Sequence, residues 1–422
     1  MIVKLPYGAS HLPVDLRGLR VRPVAPRAPR SRLGAGDLVA AAIDRPVEGP
    51  PLSEIAAGAR TATLIVPDTT RKVDLPAIVP VVLERLRSAG VSASRTTILL
   101  ACGTHPAIGD PSLGEFVGDV PADVSVIEHD SRNDGELAFV GELRPGLPLR
   151  LHRAAVEADV LVTLGTVRHH YFAGFGGGPK MVFPGVAGHD EIQANHSLVV
   201  AADEDGKLTR HPACEPGVLT GNPVAEEIGR AAEARPPDMA VCLVEDGAGG
   251  TAWAGAGPWR AAFSAAVART REWFEAGSGA AFDLMVASGG GKPSDSTLIQ
   301  AHKAFDAASR FLRPGGHLLF VAAMDRGAGS DAMRPFLEDP RPEVILDALH
   351  ERWIQYGHTT LRLIEKTCRF RVSLCSDFDP EIGRRLGFEP IADPEAVADG
   401  WRERHPGATV GVMSAGVVFP RS

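Results

Sequence analysis

The residue types best suited to chemistry are concentrated between positions 169 and 196 of the chain. Residues 169–180 read HHYFAGFGGGPK, which places two histidines and a glycine run before Lys180. Glycines let the backbone approach a ligand closely and can expose N–H groups to a phosphate. Lys180 could be an amine nucleophile or a cofactor anchor, and His196 is available as a metal ligand. The loop is not a Walker motif, because Pro179 replaces the second glycine and no Ser or Thr follows Lys180.

Two shorter motifs each follow an apolar run that predicts a strand. Asp68 and Arg71 come after the run at 62–67, and His105 comes after the run at 96–101. Aspartate can hold a ribose hydroxyl, arginine can bind a phosphate or carboxylate bidentately, and histidine transfers protons near neutral pH. Taken singly, an Asx turn at Asp68 and a surface histidine at His105 explain these residues equally well.

A fourth motif, residues 288–295, is rich in glycine and leads into a predicted helix that carries Gln300 and Lys303. Residues three apart share one face of a helix, and the free N–H groups at its start favour a negative charge. The pair could therefore bind a carboxylate. For Lys303 alone, a capped surface helix is the simpler interpretation.

These motifs are spaced by alternating strands and helices. Strands are predicted at 62–67, 96–101, 124–128, 158–164, 283–287, 317–323, 370–375 and 408–413, and helices near 75–89, 258–276 and 296–312. The alternation predicts an α/β fold of two domains with mainly parallel sheets, a cofactor-binding domain over 1–275 and a second domain over 276–422. Open α/β sheets bind ligands beyond the carboxyl ends of their strands, so we expect an active-site cleft between the domains.

Composition excludes several classes of protein. The chain is 44% hydrophobic and 23% charged, which is typical of a globular protein. Its 422 residues are too many for a single core. A net charge of −8 argues against nucleic acid or an anionic membrane as partner. No apolar run reaches the ~18 residues of a membrane span, no signal peptide is evident, and the five cysteines form no C-x-x-C pair. We therefore expect a cytoplasmic protein.

Read together, the motifs resemble the lactate racemase family, whose members carry a covalently attached nickel-pincer nucleotide. The resemblance extends over most of the chain, and its longest and most specific part is the string at 169–180. The matching residues outside that string are Asp68, Arg71, Gly103, Thr104, His105, Asn195, His196, Pro293, Asp295, Gln300 and Lys303.

The resemblance implies a particular cofactor. It is a pyridinium mononucleotide with two sulfur-bearing arms and a carbon bonded to nickel. One arm would be joined to Lys180, and His196 would be the fourth nickel ligand. Sulfur donors and an imidazole in a planar arrangement suit nickel. The other cofactor-binding residues would be Asp68, Arg71, Gly177 and Gly178.

The implied activity is that of an isomerase that racemises or epimerises 2-hydroxy acids. Removing a hydride from C2, while a base takes the hydroxyl proton, avoids a carbanion beside the carboxylate. His105 and His170 would alternate as acid and base on the two faces of the substrate. Separate maturation enzymes would supply the cofactor, and the oligomeric state, a homo-oligomer included, is left open. The substrate-binding residues would be Gln300, Lys303, Tyr171 and Trp353.

The sequence departs from lactate racemases at positions near the inferred substrate pocket. These positions are Thr69, Pro106, Lys292 and Ile299. A larger or less polar 2-hydroxy acid, or a sugar acid, therefore stands beside lactate as a candidate substrate.

Other functions are compatible with the same motifs. An epimerase of malate, of an aromatic hydroxy acid or of an aldonate would use the same site. A noncatalytic carrier of the nickel nucleotide would need neither His105 nor His170. An unrelated phosphate-binding α/β protein would need neither Lys180 nor His196.

Overall fold

The computed structural model describes residues 1–105, 113–414 and 417–421. The strands in chain order are β1 (Ile2–Tyr7), β2 (Ser10–Asp15), β3 (Arg20–Pro23), β4 (Ala62–Pro67), β5 (Thr96–Ala101), β6 (Ser125–Glu128), β7 (Leu137–Arg144), β8 (Leu147–His152), β9 (Val160–Thr166), β10 (His169–His170), β11 (Gly174–Phe175), β12 (Val200–Ala202), β13 (Leu208–Arg210), β14 (Met239–Glu245), β15 (Thr251–Gly257), β16 (Glu275–Ser278), β17 (Phe282–Ser288), β18 (Leu312–Val321), β19 (Arg371–Cys375), β20 (Glu389–Ile391), β21 (Thr409–Met413) and β22 (Phe419–Arg421). The helices are α1 (Ala35–Asp44), α2 (Leu52–Ile55), α3 (Leu75–Ser88), α4 (Leu113–Val117), α5 (Arg153–Val156), α6 (His189–His196), α7 (Pro223–Ala234), α8 (Trp259–Phe274), α9 (Leu298–Ser309), α10 (Arg334–Glu338), α11 (Pro342–Glu351), α12 (Gly357–Thr367), α13 (Pro380–Arg385) and α14 (Pro394–Arg404).

The chain folds into two compact units, each made of more than one segment. Unit 1 comprises Met1–Arg27, Val200–Arg210 and Glu272–Ser422, and unit 2 comprises Ala28–Val199 and His211–Arg271. The domains predicted from the sequence, 1–275 and 276–422, and the cleft between them stay predictions.

Unit 2 is built on a six-stranded sheet with the order β15-β14-β9-β4-β5-β6. All neighbours are parallel except β14 and β15, which pair antiparallel. Every residue of β4 is buried, as expected for an interior strand covered on both faces. The predicted helix after β4 is α3, whose N-cap residue Asp74 accepts a hydrogen bond from the Ala77 N–H.

Unit 1 contains a second six-stranded sheet, with the order β20-β19-β18-β17-β21-β3. All of its neighbouring strands are parallel. The prediction of an α/β fold with mainly parallel sheets is therefore confirmed. The helix predicted to reach residue 312 ends earlier, at Ser309, and β18 begins at Leu312 through the Pro-Gly-Gly sequence.

Over the described residues, none of the helices combines the length and the apolar character that crossing a bilayer requires.

Helices α9 and α12 of unit 1 are joined by a buried ion-pair network around Asp306. Its Oδ1 accepts a hydrogen bond from Arg362 at 2.9 Å and lies 2.6 Å from the Lys366 ammonium, while Oδ2 accepts one from Arg310 at 3.3 Å. Burial opposes ionisation of Asp306, but the positive charges of Arg362 and Lys366 hold the pKa of its carboxyl well below the usual range. The network therefore depends on one carboxylate to compensate several cations.

We predict that Asp306→Ala lowers the free energy of unfolding by about 3–5 kcal/mol, because it leaves buried cations without their counter-charge. Urea denaturation would measure the loss. The control is Asp283→Ala, which removes a mostly exposed carboxylate paired with Arg313 at 2.7 Å and should cost less than about 1 kcal/mol. Equal losses in the two variants would contradict this account of the network.

Candidate active site

The ends of two neighbouring strands bring Asp68 and His105 into contact. β4 and β5 pair in parallel with Pro67 opposite Ala101, so the turns that follow them emerge side by side. Asp68 Oδ2 lies 2.5 Å from His105 Nδ1. Asp68 Oδ1 accepts hydrogen bonds from the hydroxyl and the N–H of Thr70, at 2.6 and 3.1 Å. The Asp68 carboxylate is thus held by two partners from its own unit.

The electrostatic environment keeps Asp68 ionised. Burial raises the pKa of the Asp68 carboxyl, since only 5% of the residue is exposed. The hydrogen bonds from His105 and Thr70 and the charge of Arg71 lower it further than burial raises it, so the net shift of the pKa is downward.

His170 lies in the short β10–β11 hairpin, opposite Gly174. Gly174 has a φ of +71°, and a Cβ there would come within 2.3 Å of the Val218 carbonyl oxygen. The Ala173 N–H donates to His170 Nδ1 at 3.2 Å, so this ring nitrogen is the acceptor and a neutral His170 carries its proton on Nε2. Tyr171 stacks on the His170 ring at 5.1 Å between centroids.

The buried ring of Phe172 packs against three of the predicted site residues. The centroid of Phe172 lies 4.6 Å from that of His170 and 5.1 Å from that of His196. The Lys180 ammonium lies 5.8 Å from the same ring centre. The Phe172 ring therefore packs against the candidate base His170, the candidate anchor Lys180 and the candidate metal ligand His196.

Two glycines shortly before Lys180 could not be replaced by another residue unless the neighbouring atoms moved. Gly177 and Gly178 have φ values of +67° and +53°. A Cβ at Gly177 would lie 2.5 Å from the Thr166 carbonyl oxygen, and one at Gly178 would lie 2.3 Å from the Phe263 ring. Burial, with the nearby charge of Arg71, lowers the pKa of the Lys180 ammonium to about 7.

A groove of about 530 Å³ in unit 2 lies beside Lys180. Its apolar lining includes Phe175, Trp259 and Phe263, and Arg230 is among its polar residues. This volume is in the range of small-molecule sites.

His196 is the last residue of α6, a helix held by buried polar contacts. The fully buried Glu191 carboxylate accepts two hydrogen bonds from Arg150, at 2.6 and 3.1 Å. The Asn195 amide donates to Glu227 at 3.0 Å. Burial, with the charge of Lys180, lowers the pKa of His196 to about 3, so its imidazole is neutral near pH 7.

The predicted substrate residues other than Tyr171 lie in unit 1. Lys303 donates to Gln300 at 2.7 Å, as expected for residues on one face of α9. Trp353 is buried beside His358, with 6.2 Å between ring centroids. Whether these residues and the histidines of unit 2 serve one substrate stays a prediction.

Among the four departures from the family pattern, Pro106 lies outside the described residues. Thr69 is exposed and Ile299 is partly buried. Lys292 forms an ion pair with Asp325 at 2.6 Å.

Comparisons with known proteins show which proteins this chain is similar to. A family model described as the lactate racemase N-terminal domain matches residues 7–207. The chain is 28% identical over 359 residues to lactate racemase of Thermoanaerobacterium thermosaccharolyticum, covering 83% of this chain and 81% of that protein. It is 29% identical over 319 residues to lactate racemase of Lactiplantibacillus plantarum, covering 75% and 73%.

Similarity to a solved structure extends over the whole chain. The lactate racemase apoprotein of Thermoanaerobacterium thermosaccharolyticum superposes with a TM-score of 0.87 at 27% identity, covering 100% of both chains. Together these similarities support a lactate racemase family member. The chain is accordingly an isomerase of the racemase type, and the interpretation as an unrelated phosphate-binding protein is set aside.

A second solved structure, of a Thermotoga maritima protein, shares the fold of this chain. Its TM-score is 0.61 at 16% identity, with 88% of this chain and 96% of that chain covered.

Two features of the site go beyond what the sequence motifs indicate. The motif around Asp68 predicts a contact with a ribose hydroxyl, whereas the structure shows a contact with His105. A signal for that contact is present in the sequence, since both residues follow strands that the pattern makes parallel neighbours. Nothing in the spacing of Phe172 indicates that its ring would contact His170, Lys180 and His196.

His129 supports the loop that follows Lys180. This fully buried histidine lies after β6, and its Nε2 donates to the Ala187 carbonyl oxygen at 2.9 Å. The loop is also tied to β5, because the Gly103 N–H donates to the Gly185 carbonyl oxygen at 2.9 Å. Burial lowers the pKa of His129 to about 4, so the folded protein keeps it neutral in mild acid.

We predict that His129 makes the protein less stable as the pH falls. In the unfolded chain a histidine takes up a proton near pH 6.5, whereas folded His129 does so only near pH 4. Its contribution is therefore complete above pH 6.5 and is lost between there and pH 4, by about 3 kcal/mol.

The measurement is urea denaturation of the wild-type protein and His129→Gln at several pH values. The difference in unfolding free energy between the two should shrink as the pH falls through this window. His11→Gln, at an exposed histidine, is the control and should show a constant difference. A difference for His129→Gln that does not change with pH would refute the prediction.

Proposed function

We propose that this protein racemises a 2-hydroxy acid such as lactate, with a nickel-pincer nucleotide attached to Lys180 and with His105 and His170 as acid and base. The observation that carries the proposal is the packing of His170, Lys180 and His196 on the single ring of Phe172. The relatives named lactate racemase support the choice of reaction.

The residues around Lys180 fit such a cofactor. A pKa of about 7 leaves a substantial fraction of the Lys180 amine neutral, which is the form that can be acylated. Gly177 and Gly178 let the backbone pack closely against Thr166 and Phe263 just before Lys180, and a groove of about 530 Å³ lies beside Lys180. Arg71 is exposed nearby and carries the charge that a nucleotide phosphate requires.

The donor set also fits. In the described ranges 1–105, 113–414 and 417–421, no cluster of three or more His, Cys, Asp or Glu side chains could hold a metal ion. A nickel ion at His196 would therefore have to bring its other ligands with it, as a pincer nucleotide does. His196 is neutral near pH 7, so its imidazole has a lone pair to offer.

When bound, the pyridinium nucleotide supplies a reversible acceptor for the hydride at C2. The residues of the chain bind and orient the substrate and move a proton to or from its hydroxyl oxygen. One histidine takes the proton of the substrate hydroxyl, and the other returns a proton to the oxygen for the opposite enantiomer. Gln300 and Lys303 would hold the carboxylate, with Tyr171 and Trp353 against the rest of the substrate.

We infer that the cofactor is made by separate maturation enzymes, so a test requires coexpression with that pathway. The departures at Thr69, Pro106, Lys292 and Ile299 leave a larger or less polar 2-hydroxy acid, or a sugar acid, beside lactate as a candidate substrate.

We predict that Lys180→Ala abolishes cofactor attachment. Intact mass spectrometry of the coexpressed wild-type protein should show an added nucleotide and about one nickel per chain, both lost in the variant. Lys207→Ala, at an exposed lysine in the β12–β13 turn, is the control and should load fully. A wild-type chain without nickel, beside a lactate racemase that did load, would refute the proposal.

The same preparation tests the hydride step. L-Lactate racemised in D2O should remain free of deuterium at C2, because a hydride does not exchange with solvent during transfer. Incorporation of deuterium at C2 would instead indicate proton abstraction from carbon.

A further inference from the structure

The two candidate bases are held by opposite kinds of partner. His105 Nδ1 faces a carboxylate oxygen of Asp68 at 2.5 Å. His170 Nδ1 faces a backbone donor, the Ala173 N–H, at 3.2 Å. A carboxylate favours a proton on the ring nitrogen it touches, whereas an N–H donor favours a lone pair there. The two histidines therefore have opposite neutral tautomers.

We infer that Asp68 is a positioning residue for His105, which it holds in the Nδ1–H tautomer with a lone pair on Nε2. This inference rests on the proposed function, in which His105 is one of the two bases. It gives Asp68 a role other than binding the nucleotide.

The surroundings of Asp68 suit this role. Thr70 holds Oδ1 through its hydroxyl and its N–H, which leaves Oδ2 directed at His105. The backbone positions are set by the paired ends of β4 and β5. Hydrogen bonds from His105 and Thr70 and the charges of His105 and Arg71 lower the pKa of the Asp68 carboxyl, which favours its ionised form beside His105. A buried, ionised and doubly held carboxylate can orient an imidazole without moving itself.

The proton balance is closed by groups already on the site. The O–H bond of the substrate breaks and an N–H bond forms at His105 Nε2, while the nucleotide, when bound, would supply the acceptor for the C2 hydride. The imidazolium so formed lies against the Asp68 carboxylate, which neutralises its charge and takes no proton. Among the described residues, Arg71 and His196 are further charged or titratable groups that act on this pair, and Cys102 lies within range of the Asp68 charge.

The experiment compares Asp68→Asn with the wild-type full chain and with Asp44→Asn. Asp44 is a carboxylate of the same unit, in a half-exposed ion pair with Arg85 at 2.8 Å. Chains labelled with ¹⁵N at histidine, before cofactor loading, report the tautomer of each ring. Asp68→Ala is made in parallel as a second variant at the same position. The NMR spectra show which of the variants are folded.

We expect wild-type His105 in the Nδ1–H tautomer and a shift toward the Nε2–H tautomer in Asp68→Asn. After coexpression with the maturation pathway, Asp68→Asn should carry as much nickel and added mass as the wild type. Its kcat should fall by about 10²- to 10⁴-fold. The acid limb of its kcat/KM profile should move to lower pH, because the imidazolium has lost its counter-charge. Asp44→Asn should match the wild type in every measurement.

Two results would overturn the inference. One is an Asp68→Asn chain that keeps the wild-type His105 tautomer and pH profile. The other is loss of nickel and added mass in that variant with an unchanged tautomer, which would make Asp68 a cofactor-binding residue. If the wild type itself failed to load nickel, the proposed function would fail, whereas the tautomer measurement would still decide the role of Asp68.

Discussion

The packing of Phe172 against His170, His196 and Lys180 is the interaction on which the candidate site depends. Each of these residues comes from a different local structure: the short β10–β11 hairpin, the end of α6 and a 3₁₀ helix that follows Gly177. The ring is 2% exposed, so it is a fixed surface against which the others are placed. Because an aromatic ring contacts neighbours through both its edge and its face, one side chain can position three groups at once.

Burial also sets the charges of the site. The same low-polarity surroundings lower the pKa of both Lys180 and His196, which makes an amine and an imidazole available as neutral donors. Asp68 remains ionised in this setting because His105, Thr70 and Arg71 compensate it. The site therefore combines two nitrogen groups whose charged forms are disfavoured by burial with one carboxylate that is favoured in its ionised form.

Most of the fold could be predicted from the sequence. The runs at 62–67 and 96–101 are strands with those limits, because continuous apolar runs of this length are typical of strands buried on both faces. Element ends were less predictable: α9 stops at Ser309, and β18 begins before the glycines that were expected to separate them. A Pro-Gly-Gly sequence is typical of irregular backbone, but it can also lie at the start of a strand whose register shifts, as it does where β18 pairs with β17.

The sequence by itself determined which chemistry-bearing residues exist and which strand or loop carries each of them. His105, His170, Lys180 and His196 were identified from residue type and motif, as were Gly177 and Gly178. Only the tertiary structure decided which of them touch. The contact between Asp68 and His105 results from the parallel pairing of β4 with β5. Lys180 and His196 are brought near each other because both pack against the Phe172 ring. Residue type and periodicity are local properties of a chain, whereas contacts between distant residues depend on how its elements pack. For this reason the contact of Asp68 with His105 could not be found from the motif around Asp68 alone.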